Sequence, residues 1–298
     1  MLCKKPFRKS GLELGCGKCA PCKLKHRRLW TARLVLEAAL HADSCFITLT
    51  YNDQTIPQNN SLRVKDYQDF LKRLRRSSTK RLRFYIVGEY GTTTDRPHYH
   101  CVLYGFKPDS SGLLEHKRRD QLNLYGKQDK RLLDAWRTTD NKPKGNIHIG
   151  EVTVQSMAYS CSHITKSTHK LGDPKLNGRI PEFHRMSLRP GIGKNAIHAI
   201  CDWLTTKEGA RYVADHGDIP SALRMEQKLW PIGRYLKTCI KAELGMQDEQ
   251  TDLAKYTHAM KHLAMIKDHG YDYNRFKRHN DALKAEQILQ RAKFNQSL

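Results

Sequence analysis

The residues best equipped for chemistry lie in the run Arg96-Pro-His98-Tyr-His100-Cys-Val-Leu-Tyr104. Positions two apart on a β-strand share a face, so His98 and His100 are expected to project together, as two imidazole ligands of one metal ion do. Two histidines in a chain with 15 can equally be unrelated surface residues. Glu89 adds to the pair: it lies in Val87-Gly-Glu-Tyr-Gly91, at the end of the preceding strand-like run. A turn between the two runs returns the chain, so that this carboxylate can reach both imidazoles. Two histidines and a carboxylate, with coordination positions left open, suit a divalent ion that handles phosphate oxygens. A second constellation is Ala158-Tyr159-Ser-Cys-Ser-His163-Ile-Thr-Lys166. If this segment is helical, Tyr159, His163 and Lys166 stand at i, i+4 and i+7 on one face. A phenol ionises only near pH ~10 and needs a cation or a polarising site to act as a nucleophile. The alternative is a core tyrosine beside an exposed lysine.

A third cluster is Cys16-Gly-Lys-Cys19-Ala-Pro-Cys22. It can hold structural Zn²⁺ with Cys3 or His26 as fourth ligand, although no second Cys-x-x-Cys pair follows at the usual zinc-ribbon distance. Reduced thiols in a basic, DNA-facing segment are the other reading. The chain has 9 cysteines, an odd number, most of them scattered singly, which points to a reducing compartment rather than a disulfide framework.

Across the 298 residues, 53 Lys and Arg face 30 Asp and Glu, a net charge of +23 with the histidines neutral. Such an excess predicts a polyanionic partner, nucleic acid first. Lys23, Lys25, Arg27, Arg28 and Arg96, with Arg73, Arg75 and Arg76, are candidate phosphate contacts. Tyr90 and Tyr99 are candidates for stacking on bases, whereas Trp30 and Phe46 read as core. No apolar run approaches bilayer length, and the N-terminus lacks the apolar stretch of a signal peptide, so a membrane or secreted role is not expected.

The elements that must position these residues follow from periodicity. An amphipathic helix runs to about Ala42 and a strand covers 44–51. A helix over 61–77 opens on Ser61 as its cap. A hairpin joins strands at 83–87 and 98–104, and a polar helix is expected over 117–137. A strand at 146–152 then leads into a helix from Val154 to Lys166. Beyond Arg189-Pro-Gly-Ile-Gly193 the chain reads as helical, with basic amphipathic stretches near 221–245, 252–268 and 274–296. Hairpin-linked strands argue for an α+β fold, an antiparallel sheet with helices packed on one face and a mostly helical C-terminal extension. The expected division is a basic cysteine-containing segment (1–30), an α+β domain (31–193) and a helical region (194–298).

Several motifs in this order carry a resemblance: Cys16-Gly-Lys-Cys19, Phe46-Ile-Thr-Leu-Thr-Tyr51, Gly88-Glu-Tyr-Gly91 with Arg96-Pro-His-Tyr-His100, Tyr159 to Lys166, Met186-Ser-Leu-Arg-Pro-Gly-Ile-Gly193, and Trp230-Pro-Ile-Gly-Arg-Tyr235. Together they resemble the HUH endonuclease superfamily, and more closely the rolling-circle replication initiators of microvirus-type, gokushovirus-like single-stranded DNA phages. The resemblance implies that His98 and His100, with Glu89 as third ligand, hold Mg²⁺ or Mn²⁺ against a scissile phosphate. It implies that Tyr159 attacks that phosphate; the negative charge that then builds on the phosphoryl oxygens can be stabilised by the metal and Lys166. The product it implies is a 5′-phosphotyrosine link and a free 3′-hydroxyl. The partners are then single-stranded DNA at a viral origin and the host helicase and polymerase, in the bacterial cytoplasm. Phage initiators often carry Tyr-x-x-x-Tyr-x-x-Lys, and here the second tyrosine is His163. Alternation between two tyrosines therefore does not carry over, and His163 reads as a proton shuttle or an extra ligand. No Gly-x-x-x-x-Gly-Lys-Ser/Thr run indicates an attached helicase. The competing readings are a non-catalytic, zinc-containing nucleic-acid-binding protein and a metal-dependent nuclease that uses water and dispenses with Tyr159.

Overall fold

The computed structural model describes residues 2–9, 12–91, 93–109, 113–118, 121–126, 129–163, 169–225, 227–246, 251–270 and 272–294. In chain order the elements begin with β1 (Phe7–Lys9), β2 (Leu12–Leu14), α1 (Ala20–Ala38), β3 (Ser44–Thr50), α2 (Val64–Arg76), β4 (Arg83–Tyr90) and β5 (Pro97–Tyr104). They continue with β6 (Leu113–Arg118), β7 (Gln121–Gly126), α3 (Lys130–Ala135), β8 (Ile147–Gly150), α4 (Val154–His163) and β9 (Phe183–Met186). The remainder comprises α5 (Ile197–Leu204), α6 (Lys207–His216), β10 (Ala222–Met225), β11 (Lys228–Pro231), α7 (Gly233–Glu243), α8 (Asp252–His269) and α9 (Tyr273–Phe294). Two compact units result, one of Met1–Ala32 with Ala196–Leu298 and one of Arg33–Asn195.

The unit of Arg33–Asn195 is built on a seven-stranded sheet of order β6-β7-β8-β3-β5-β4-β9, antiparallel at every pairing. Strand β3 alternates Cys45, Ile47 and Leu49, which are buried, with the half-buried Phe46, Thr48 and Thr50. The first set faces α2 and α3. There Tyr67, Phe70, Leu71 and Leu74 of α2, Leu132 and Ala135 of α3, and Trp136 close a core with Ile86, Tyr99, Cys101 and Leu103. Each large apolar side chain buried in it contributes about 1.5–3 kcal/mol.

β4 and β5 are buried along nearly their whole length rather than on alternate residues. Helices therefore cover both faces of the sheet, not one as expected from sequence, with α4 packed on β4 and β5 opposite α2. At one end of that second face Arg83 of β4 meets Glu37 of α1, and both are buried. Arg83 Nε donates to Glu37 Oε1, and Arg83 Nη2 donates to the Pro190 carbonyl at 2.9 Å. The Gly193 N–H donates to Glu37 Oε2 at 2.6 Å, and His41 Nε2 lies 3.2 Å from Oε1. Burial alone would raise the Glu37 carboxyl, but the bonds from Arg83, Gly193 and His41 hold it below the usual carboxylate range.

Three expected elements differ. In place of a helix over 117–137 stand the hairpin β6–β7 and the short α3. The period-2 run Gln-Leu-Asn-Leu at 121–124 pairs as a strand, Leu124 opposite Ile149 of β8. The expected helix near 221–245 is the hairpin β10–β11 followed by α7. Ser61 does not cap α2, whose N-cap position is Arg63 without a side-chain bond; Ser61 Oγ instead accepts the Ile180 N–H at 3.1 Å.

Tyr99, a candidate for stacking on bases, is a core residue with no exposed surface. Lying between His98 and His100 on one strand, it must point to the face opposite theirs. There its hydroxyl donates to the Arg63 carbonyl at 2.9 Å and accepts the Arg63 N–H at 2.9 Å. Trp30, expected in the core, is half-buried and donates from Nε1 to His26 Nε2 at 3.0 Å.

In the other unit α5 packs on α6 and α7, and α8 on α6 and α9. Asp218 accepts from Lys237 at 2.8 Å and pairs with the buried Lys241 at 3.0 Å.

Glu37→Gln leaves Arg83 buried without its counter-charge and is expected to cost about 3–5 kcal/mol near neutral pH. A carboxyl whose folded value is depressed contributes stability above its unfolded value of about 4.3, and loses it as pH falls through the folded value. Urea unfolding of both proteins should therefore show a gap that narrows below about pH 4; a gap independent of pH contradicts the assignment. For Tyr99→Phe the expected result is a loss of about 1 kcal/mol with single-stranded DNA affinity unchanged in fluorescence anisotropy.

Candidate active site

The β4–β5 hairpin builds the site. Its turn closes with the Gly91 N–H donating to the Arg96 carbonyl at 3.0 Å and the Asp95 N–H to the Gly91 carbonyl at 2.9 Å. The resulting register sets Glu89 directly opposite His98, and Val87 opposite His100. From the other side β3 sets Thr48 opposite His100 and Thr50 opposite His98. Glu89, His98, His100 and Thr48 thus share the face covered by α4.

On that face Glu89 Oε1 lies 2.8 Å from His98 Nε2 and 3.0 Å from His100 Nε2. Each imidazole is oriented through its other nitrogen. His98 Nδ1 donates to the Arg96 carbonyl at 3.2 Å, and His100 Nδ1 lies 2.9 Å from Thr48 Oγ1. Both Nε2 atoms therefore point at the same carboxylate. Glu89 and His100 are buried, while His98 keeps 18% of its side chain exposed and opens the site to solvent.

Helix α4 supplies the rest. Its residues Tyr159 and His163, one turn apart, both face the sheet, and His163 Nδ1 contacts Glu89 Oε2. The His163 ring stacks on His100 with centroids 5.2 Å apart, and Tyr159 sits edge-on to His163 at 4.4 Å and to His100 at 5.0 Å. Tyr159 Oη lies 3.5 Å from His100 Nε2. One ligand atom from each of Glu89, His100 and His163 falls within 4.8 Å of the others, a grouping that can hold a metal ion.

The charges follow from this packing. Burial would raise the Glu89 carboxyl, but bonds from His100, His163 and His98 hold it far below the usual range, so it stays ionised. Burial pulls His100 down to about 4 against the pull of Glu89, leaving a neutral ring. At His98 the bond to Glu89 and its charge outweigh burial and raise the ring above its usual value. Burial, and then the charge of Glu89, push the Tyr159 phenol up. A buried carboxylate met by Nε2 of His98 and His100 and by Nδ1 of His163 is a donor set that fits a divalent cation.

Two contributors were not read from sequence as part of the site. Phe46, expected in the core, lies on the α4 face and stacks on His100 at 5.7 Å. Its polar-face partner Thr48 orients His100. The signal for both is the alternation in Phe46-Ile-Thr48-Leu-Thr50, which puts these three on one side of β3.

The other expected residues that are described are held elsewhere. Lys166 lies outside the described residues. Arg96 donates from Nη1 to Asp53 at 2.5 Å and from Nη2 to the Tyr51 carbonyl at 3.0 Å, at the edge of the hairpin. Tyr90 gives its hydroxyl proton to the Ile180 carbonyl at 2.7 Å. Arg73 bonds the Ala135 and Arg137 carbonyls at 3.1 and 2.6 Å, and Arg75 lies over the Phe84 ring. Lys23, Lys25, Arg27 and Arg28 lie on the first half of α1, in the other unit, with Arg28 Nη2 bonded to the Leu229 carbonyl at 2.6 Å. Cys16, Cys19 and Cys22 belong to that unit too, together with Cys3.

Residues 44–168 match the family of the Replication-associated protein ORF2 type. The chain is 29% identical over 193 residues to Replication-associated protein VP4 of Bdellovibrio phage phiMH2K, covering 61% of this chain and 56% of that protein. It is 32% identical over 189 residues to Replication-associated protein ORF2 of Spiroplasma virus 4, covering 60% and 55%. With Replication-associated protein ORF4 of Chlamydia phage 1 the identity is 28% over 164 residues, covering 51% and 38%. The matches thus span about half the length of these curated relatives or less. No solved structure matches the chain. By sequence, the chain is similar to phage replication-associated proteins, and the segment that matches their family model, residues 44–168, carries Glu89, His98, His100, Tyr159 and His163.

Proposed function

We propose that this protein initiates rolling-circle replication of a small phage genome by nicking single-stranded origin DNA with Tyr159 and later rejoining the displaced strand. The observation that carries this reading is the placement of the Tyr159 hydroxyl 3.5 Å from His100 Nε2, within the cluster that Glu89 organises. A water-using nuclease has no need of a phenol directed at its metal ligands.

His98, His100 and Glu89 would hold Mg²⁺ or Mn²⁺, with His163 in reach as a further ligand. Such a cation supplies charge neutralisation at phosphate oxygens. Tyr159 Oη attacks the phosphorus, the P–O3′ bond breaks, and the 3′-oxygen leaves as a hydroxyl available to a polymerase. Burial and the Glu89 charge keep the phenol protonated at rest, so the chain must remove that proton as the nucleophile forms. His163 takes part in that transfer, a role supported by its edge-on contact with the Tyr159 ring and its contact with Glu89. Thr48 keeps His100 Nε2 turned inward, and Phe46 supports the flat face of the same ring.

The net charge of +23 suits a DNA partner. Among the described residues no helix is long and apolar enough to cross a membrane. Action on replicating phage DNA in the cytoplasm of a bacterial host, beside the host helicase and polymerase, completes the proposal.

Incubation of the full chain with single-stranded phage-origin DNA and Mn²⁺, followed by a denaturing gel, should yield a covalent protein–DNA adduct that chelation abolishes and that Tyr159→Phe lacks. Cleavage without an adduct would assign a water-using nuclease, and binding without cleavage a non-catalytic nucleic-acid-binding protein. Thr48→Val, which leaves His100 unoriented, is expected to weaken Mn²⁺ binding roughly 10–100-fold by calorimetry. His163→Ala should slow single-turnover cleavage and alter its pH profile; an unchanged rate and profile remove His163 from the chemistry.

A further inference from the structure

We propose that Cys3, Cys16, Cys19 and Cys22 bind one structural zinc ion, with Cys3 as the fourth ligand. The four sulfur atoms lie within 4.8 Å of one another. Around a tetrahedral zinc with Zn–S bonds of about 2.3 Å, sulfurs stand about 3.8 Å apart; Cys3 Sγ and Cys19 Sγ are 3.7 Å apart. That separation is far from the ~2.05 Å of a disulfide, and all four thiols are free.

The surrounding backbone is shaped for sulfur. The Cys16 N–H points at Cys3 Sγ at 3.2 Å and the Cys19 N–H at Cys16 Sγ at 3.4 Å, donors that stabilise thiolates. Gly17, between the second and third cysteines, adopts φ +73°, a conformation that L side chains avoid. At Gly15 a Cβ atom would stand 3.0 Å from Cys22 Sγ and crowd the cluster. Sequence spacing leaves Cys3 and His26 as equal candidates for the fourth position; in the structure His26 Nε2 accepts the Trp30 indole N–H at 3.0 Å, whereas Cys3 is in sulfur contact.

Four cysteines favour zinc or an iron–sulfur centre over hard cations, and four protein ligands leave no open position for catalysis. The ion is therefore a clasp. It joins the start of the chain, the Cys16–Cys19 loop and the first turn of α1, with the β1–β2 hairpin of three-residue strands between them. Such a hairpin is too small to hold itself in water.

The test is metal analysis of the purified full-length protein by mass spectrometry, with a mercurial reagent to release thiolate-bound zinc to a colorimetric chelator. Wild type should yield about one zinc per chain. His26→Ala, and the double variant His98→Ala with His100→Ala, should keep it, which separates this site from the candidate active site. Cys3→Ser with Cys22→Ser should lose it. If that variant fails to fold, Co²⁺ substituted into the wild type should give the thiolate-to-cobalt charge-transfer and intense visible bands of a tetrahedral tetrathiolate site. Wild-type protein with no bound zinc, iron with inorganic sulfide in place of zinc, zinc retained by the cysteine variant, or a cobalt spectrum without thiolate bands overturns the proposal.

Discussion

The pairing of β4 with β5 is the constraint on which the site rests. With Glu89 opposite His98 and Val87 opposite His100, a carboxylate and two imidazoles meet on one face. A slip of one residue would turn Glu89 to the α2 side, among the apolar side chains of the core. Strand β5 is held in register from both edges, because it is laddered to β3 as well as to β4. Tyr99 adds a side-chain lock on the far face through its two bonds to the Arg63 backbone.

Strand β4 carries two buried carboxylate systems on the same face, and they behave differently. At its start Arg83 meets Glu37 in a pair with fixed charges, completed by backbone groups at Pro190 and Gly193. At its end Glu89 is surrounded by imidazoles, of which burial keeps His100 neutral while the carboxylate raises His98. The first arrangement suits a permanent structural clamp. The second leaves donor atoms that can turn from hydrogen bonding to metal coordination, which is what a binding site needs.

Helix α4 makes the second system specific. Its phenol and its imidazole sit one turn apart, and the His163 ring stacks on His100 while Tyr159 stands edge-on to both. A phenol in place of His163 would bring a second hydroxyl to the same carboxylate. An imidazole brings a base and a ligand instead, so a single tyrosine stands at this cluster among the described residues. Under the proposed function, rejoining then falls to Tyr159 again or to a tyrosine from elsewhere.

Much of this was legible in residue order. The His98/His100 spacing, the alternation in β3 and the Tyr159/His163 interval are local periodicities, and local periodicity decides which side chains share a face. Within 117–126 and 222–231 strands replaced expected helices, because pairing with a neighbouring strand is not encoded within the segment itself. Tyr99 illustrates the same limit: an aromatic between two histidines reads as a neighbour of the site until the opposite face of the sheet is seen to be core. The sequence by itself determined the residue types, the basic charge and the faces on which Glu89, His98, His100 and Tyr159 lie. Only the tertiary structure decided that Phe46 and Thr48 support the histidines, that His163 reaches Glu89, and that Cys3 rather than His26 joins the other cysteines. Those contacts join segments far apart in the chain, and their distances are set by strand register and helix packing, which no short window of sequence contains.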